Sequence, residues 1–86
     1  MRRLEVRVSA TAEKQLRAVA RPDQLRLIKA ISALATRPRP RGCRKLQGYP
    51  DVYRIRVGIY RVIYSVQDRE LIVIVLKIGH RRDVDR

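Results

Sequence analysis

The alternation of apolar and polar residues predicts a β-hairpin in the second half of the chain. Two alternating runs flank the pair Gly58-Ile59, and a two-residue loop that begins with glycine is typical of a type II′ turn. This turn places Arg56 directly opposite Arg61. The other predicted cross-strand pairs are Val57 with Tyr60, Ile55 with Val62, Arg54 with Ile63, and Tyr53 with Tyr64.

The predicted hairpin separates basic side chains from aromatic ones. Because successive residues of a strand point to opposite faces, Arg54, Arg56 and Arg61 share one face. The face expected to pack inward carries Tyr53, Ile55, Val57, Tyr60, Val62 and Tyr64. Like charges directly opposite each other destabilise a sheet by about a few tenths of a kcal/mol, and a bound anion would remove that cost. The alternative is a basic face that is simply solvated.

The first half of the chain predicts one strand followed by two helices. Residues 4–8 alternate as a half-buried strand does, and Ser9 is a suitable N-cap for the first helix. Pro22 suits the first turn of the second helix, which is expected to end before Pro38. The predicted apolar face of the second helix consists of Leu25, Ile28, Ile31 and Ala35, with Leu27 and Leu34 just off the stripe.

The remaining apolar segments complete an α+β fold. Leu46 begins a short predicted strand, and residues 71–76 are apolar at every position, as in a strand buried on both faces inside a sheet. The predicted order is an N-terminal strand, a two-helix hairpin and a three-stranded antiparallel meander. We expect one domain over residues 1–86, with a small, mostly antiparallel sheet packed on two helices.

The charge balance indicates a polyanionic partner. Lys and Arg number 21 against 8 Asp and Glu, for a formal net charge of +13, and arginine forks match phosphate groups. Solubility alone is the weaker explanation. The basic segment 37–45 is either a solvated linker or a phosphate-binding loop.

The cysteine count and the hydropathy exclude several classes of site. The single cysteine, Cys43, permits neither an internal disulfide nor a cysteine-based metal site, and we expect a surface thiol without function. No apolar run approaches the length needed to span a bilayer. These features predict a cytoplasmic protein with no membrane partner.

The order of elements and two motifs resemble the RelE/ParE superfamily of toxins from toxin–antitoxin pairs. The motifs are Tyr-Arg-x-Arg-x-Gly-x-Tyr-Arg-x-x-Tyr, which begins at Tyr53, and Gly-His-Arg-Arg, which begins at Gly79. The resemblance covers essentially the whole chain. It implies a RelE-like endonuclease that cuts messenger RNA in the ribosomal A site, with ribosomal RNA contacts and without metal or cofactor. It also implies an acidic antitoxin that binds the toxin in a hetero-oligomer.

The resemblance assigns roles to individual residues. Arg54 and Arg56 match two basic positions of the family site, Arg61 matches the arginine that stabilises the developing phosphorane, and Arg81 matches a second functional arginine. The further residues expected to contact RNA phosphates are Arg82, Arg44 and Lys45.

The sequence departs from the family pattern where proton transfer is concerned. Arginine stays charged, so Arg54 and Arg56 can hold a phosphate but are poor proton acceptors. Asp85 occupies the place of the terminal tyrosine that usually contacts the substrate base. His80 is either a general acid or base, or a turn histidine bonded to the backbone.

Two other functions remain possible for this sequence pattern. The first is a ParE-like inhibitor of DNA gyrase, because the superfamily hosts both activities on one fold. The second is a non-catalytic nucleic-acid-binding protein with the same basic surface. For either toxin function, Ile63 on the arginine face and the apolar strand at 71–76 predict apolar surface that an amphipathic antitoxin covers.

Overall fold

The computed structural model describes residues 3–80 and contains two helices beside one five-stranded sheet. The elements in chain order are β1 (Glu5–Val8), α1 (Ala10–Arg17), α2 (Arg21–Ala33), β2 (Arg44–Lys45), β3 (Val52–Val57), β4 (Tyr60–Gln67) and β5 (Ile72–His80). The strand order is β1-β5-β4-β3-β2. Only β1 and β5 are parallel, and the other neighbours are antiparallel. The predicted α+β fold is confirmed.

Both helices begin where the sequence indicates. The Ser9 hydroxyl accepts a hydrogen bond of 3.1 Å from the Ala12 backbone N–H, which satisfies one of the free donors at the start of α1. Pro22 lies in the first turn of α2, where its missing N–H costs nothing. Gln24 of α2 donates to the Leu16 carbonyl at 3.1 Å and so ties α2 to α1.

The buried face of α2 differs from the predicted one. Leu27, Ile31 and Leu34 are buried at helical spacing, whereas Leu25 and Ile28 are 50% and 42% exposed. The prediction was therefore wrong for Leu25 and Ile28. The aliphatic residues of α2 offer two overlapping stripes, and the contact with the sheet selects the one that contains Leu27.

The hairpin of β3 and β4 has the predicted register, including Arg56 opposite Arg61 and Tyr53 opposite Tyr64. Gly58 has a φ of +61°, while Ile59 has no positive φ, as a type II′ turn requires. Tyr64 is fully buried against the helices. The short strand β2 lies just before its predicted start at Leu46, which follows the strand and donates its N–H to the Val52 carbonyl at 2.9 Å.

Strand β5 lies inside the sheet between β1 and β4, as predicted. Its burial is one-sided, however: Val73 and Val75 are fully buried under the helices, while Leu76 is 37% exposed. A β-bulge beside Ile63 and Tyr64 leaves Leu76 without a partner in β4. In the described part of the chain, no helix is long and apolar enough to cross a membrane.

Candidate anion-binding site

Four arginines meet on the sheet face that is turned away from the helices. Arg54 and Arg56 point to this face from β3, and Arg61 joins them from β4, opposite Arg56. Arg44 of β2 pairs with Arg54 and adds a fourth guanidinium to the same face. The sheet therefore assembles one arginine face from three neighbouring strands: Arg44, Arg54, Arg56 and Arg61.

The members of the arginine face differ in exposure. Arg61 is only 5% exposed, Arg54 is half-buried, and Arg56 and Arg44 are exposed. On the β5 side Arg61 neighbours Gly79, which adds no side chain to the face. The face therefore combines one buried guanidinium with three more accessible ones. This arrangement allows several guanidinium groups to bind one phosphate group from different sides.

A cation that the sequence analysis missed, Lys77, also lies on the arginine face. Lys77 pairs with Ile63 of β4, whose side chain points to this face. Strict alternation from Val73 and Val75 would turn Lys77 toward the helices, but the bulge reverses the alternation and brings Ile78 into the core instead. One signal in the sequence could have indicated this bulge. A lysine stands between Leu76 and Ile78, at a position that strict alternation would place in the core.

Two further predicted site residues, Lys45 and His80, do not join the arginine face. Lys45 pairs with Tyr53 and points to the opposite face. His80 ends β5 rather than lying in a turn, and its ring packs edge-on against Tyr60 at 6.3 Å between centroids. The side chains of Tyr60 and His80 therefore point to the sheet face opposite to that of Arg61. Arg81 and Arg82 lie outside the described residues, so their predicted contributions remain predictions.

The apolar surface predicted at Ile63 is absent, since Ile63 is buried. Its neighbours in the sheet are Arg54 and Lys77, whose aliphatic stems are suited to cover apolar surface. The exposed large apolar residues in the described range are Val8, Leu25, Ile28, Tyr49, Ile59 and Leu76.

The segment between α2 and β2 is packed on the sheet rather than simply solvated. Arg39 donates hydrogen bonds of 2.6 and 3.1 Å to the two Asp68 carboxylate oxygens and one of 3.0 Å to the Tyr53 hydroxyl. The Tyr64 hydroxyl donates to the Pro38 carbonyl at 2.7 Å. Cys43 is a free thiol, as predicted, but it is half-buried against the core rather than fully exposed at the surface.

These contacts shift three pKa values. Hydrogen bonding to Arg39 lowers the pKa of the Asp68 carboxyl below its ordinary value. The same bonds, together with the one to Tyr53, raise the pKa of Arg39. Burial raises the pKa of Tyr64, with a smaller contribution from nearby Cys43. The segment is thus anchored to the sheet by the ion pair of Arg39 with Asp68 and by the hydrogen bond from the neutral Tyr64 hydroxyl to Pro38.

Comparison with known proteins identifies the family. The chain matches the family model described as the ParE toxin of the type II toxin–antitoxin system parDE over residues 6–85. It is 38% identical to the RelE1 toxin of Methanocaldococcus jannaschii over 64 residues, which cover 70% of this chain and 71% of the relative.

Solved structures share the fold. The archaeal RelE–RelB complex of Pyrococcus horikoshii matches with a TM-score of 0.82 and 31% identity, covering 91% of this chain and 94% of that chain. The intact RelBE toxin–antitoxin complex of E. coli matches with a TM-score of 0.79 and 28% identity, covering 90% and 95%. With the family match over residues 6–85, these similarities show that the chain belongs to the RelE/ParE superfamily of type II toxin–antitoxin toxins.

Proposed function

We propose that this protein is a RelE-like toxin that cleaves messenger RNA in the ribosomal A site. The observation that carries the proposal is the arginine face, in which Arg56 and Arg61 lie directly opposite each other and Arg54 and Arg44 extend the charge. Opposed guanidinium groups destabilise the free sheet, and a phosphate bound between them removes that cost.

The proposed reaction needs no metal. The ribose 2′-hydroxyl loses its proton to water as its oxygen attacks the adjacent phosphorus in line. The bond to the 5′-oxygen breaks and that oxygen takes up a proton from water, so that the products carry a 2′,3′-cyclic phosphate and a 5′-hydroxyl. Arg61 stabilises the charge that develops on the phosphorane, while Arg54 and Arg56 hold the phosphate in position. We assign these arginines to binding and charge stabilisation, since a guanidinium does not accept the proton. Arg81 is proposed as a second arginine at the reacting phosphate.

We further propose an acidic antitoxin as the partner in a hetero-oligomer. The Pyrococcus horikoshii and E. coli relatives were solved as complexes of RelE with RelB. A net charge of +13 favours an acidic partner for this chain.

The test is induction of the protein in cells, followed by primer extension on abundant messages. Growth arrest with cuts at codon-spaced positions is expected for the wild type, and both effects are expected to disappear in Arg61→Ala and Arg81→Ala. Arg69→Ala is the matched control, because Arg69 is an exposed arginine of the β4–β5 turn, away from the arginine face. Intact messages during full growth arrest contradict the proposal.

A second candidate function is inhibition of DNA gyrase. Two observations favour it: the matching family model is that of ParE, and all four residues that define the arginine face carry guanidinium groups, which do not accept a proton. A supercoiling assay with purified gyrase separates the two functions. Potent inhibition without RNA cleavage supports the gyrase inhibitor. If neither activity appears and growth continues, a non-catalytic nucleic-acid-binding protein is the remaining candidate.

A further inference from the structure

A cleft of about 530 Å³ opens between the C-terminal half of α2 and the outer edge of β3. Its floor is aliphatic and includes Ala30 of the helix and Ile55 of the strand. Five arginines line the cleft, and no acidic residue does: Arg37, Arg41, Arg44, Arg54 and Arg56. Two of them, Arg37 and Arg41, belong to neither the arginine face nor the sheet.

The shape of the cleft follows from two local features. Strand β2 has only two residues and pairs with Tyr53 and Arg54, so no strand covers β3 from Ile55 to Val57. On the other wall, the small side chains of Ala30 and Ala33 do not fill the space beside the strand. The cleft is therefore built into the packing of α2 against the sheet edge.

Four of the five arginines that line the cleft form no ion pair within the part of the chain that the structure describes. These four are Arg37, Arg41, Arg44 and Arg56. Arg39, in the same segment, is instead held by Asp68 and Tyr53. The segment thus fixes one arginine to the sheet and leaves the flanking Arg37 and Arg41 exposed, where they are available to a ligand.

We propose that this cleft is a second phosphate-binding site, in which Arg37 and Arg41 hold the RNA backbone beside the nucleotide that reaches Arg61. The inference rests on the proposed function, since it extends the RNA path of that site. Arg54 and Arg56 belong to both the arginine face and the cleft. They lie two residues apart on one strand, a separation of about 7 Å that is similar to the spacing of neighbouring phosphates in an extended RNA. A strand that passes from Arg61 over β3 therefore meets the cleft directly.

An acidic protein segment is the other polyanion that such a cleft attracts. RNA is favoured because the cleft is continuous with the arginine face and its cations are all arginines, which bind phosphate through paired hydrogen bonds. The two ligands are separated by using two probes. One is a labelled single-stranded 2′-O-methyl RNA, which cannot be cleaved, and the other is a poly-glutamate peptide.

The experiment measures the affinity of the full-length protein for the RNA across a salt series. R37Q/R41Q removes two charges from the cleft. The matched control K29Q/R69Q removes two charges from exposed positions outside it. Each phosphate contact to a single strand adds about 0.7 to the slope of log affinity against log salt. The slope is therefore expected to fall by about 1.4 in R37Q/R41Q and to stay unchanged in the control.

When the salt concentration is raised from about 50 to about 200 mM, the RNA affinity of the wild type is therefore expected to fall about sevenfold more than that of R37Q/R41Q. Thermal unfolding of R37Q/R41Q verifies that the variant is folded. R37K/R41K is expected to keep the salt slope, because it keeps both charges.

Three results overturn the inference. If R37Q/R41Q and the control have equal slopes while the wild type binds RNA, the cleft is not an RNA site, and the proposed function stands. If R37Q/R41Q loses affinity for poly-glutamate only, the cleft belongs to an acidic protein segment. If the wild type binds no RNA at all, the cleft is not an RNA site, and the primer-extension test decides the proposed function separately.

Discussion

Arg56 of β3 lies directly opposite Arg61 of β4 on the sheet face that is turned away from the helices. Two like charges in this position work against folding and in favour of anion binding. Stability and RNA affinity are therefore expected to respond in opposite directions when Arg56 is neutralised.

For Arg56→Gln we expect the free energy of unfolding to rise by about 0.2–1 kcal/mol, because a repulsive cross-strand pair is removed. RNA affinity is expected to fall, since one phosphate contact is lost. Thermal unfolding and RNA titration of the same preparations check both effects. Arg69→Gln, which removes a charge from an exposed turn, is expected to change neither. A variant that is both less stable and weaker in binding contradicts this account.

Lys77 is expected to contribute to RNA binding, because the bulge in β5 places it on the arginine face. Lys77→Gln is expected to lower the slope of log affinity against log salt by about 0.7. The control is Lys29→Gln on the exposed surface of α2, which is expected to leave the slope unchanged. Equal slopes for both variants mean that Lys77 does not contact the RNA.

Leu27 and Ile28 are adjacent in α2, yet only Leu27 is expected to matter for stability. Leu27 is fully buried and packs in the core, whereas Ile28 is 42% exposed. Leu27→Ala is expected to lower the free energy of unfolding by about 2–5 kcal/mol, because it leaves a cavity. Ile28→Ala is expected to change it by less than about 0.5 kcal/mol. Urea denaturation measures both, and similar losses would mean that α2 faces the sheet through the stripe that the sequence predicted.

The pair of Arg39 and Asp68 predicts a pH-dependent contribution to stability. The folded-state pKa of Asp68 is lowered, so the stabilisation is present above the ordinary aspartate pKa of about 3.9 and is lost as the pH falls through the lower folded value. Asp68→Asn is therefore expected to melt at a lower temperature than the wild type at neutral pH. This difference is expected to shrink as the pH falls below about 3.9.

The matched control for Asp68→Asn is Glu70→Gln. Glu70 is exposed in the same turn and forms no salt bridge within the described residues. Its variant is expected to melt like the wild type at neutral pH. A melting difference between Asp68→Asn and the wild type that does not depend on pH contradicts an ionic role for the pair.

The hairpin at the centre of the site was predictable in detail. Gly58 selects the turn, the turn sets the register, and the alternation of the strands then places Arg54, Arg56 and Arg61 on one face. Each of these steps depends on interactions between residues that are close in sequence. The family resemblance was likewise carried by this local motif and confirmed by the match over residues 6–85.

Other features of the site depend on contacts between distant segments. Lys77 reaches the arginine face only because Leu76 has no partner in β4, and the cleft exists only because α2 meets the edge of β3 beside a two-residue β2. The choice between Leu27 and Leu25 as the buried residue of α2 is of the same kind.

The sequence by itself thus determined the turn, the register and the sign of the charge, because backbone conformation and side-chain alternation are local properties. Which helix stripe is buried, where the bulge reverses a strand and which arginines surround a cleft were decided by the tertiary structure. Packing compares alternative arrangements of whole elements, and their energies depend on partners far away in the chain.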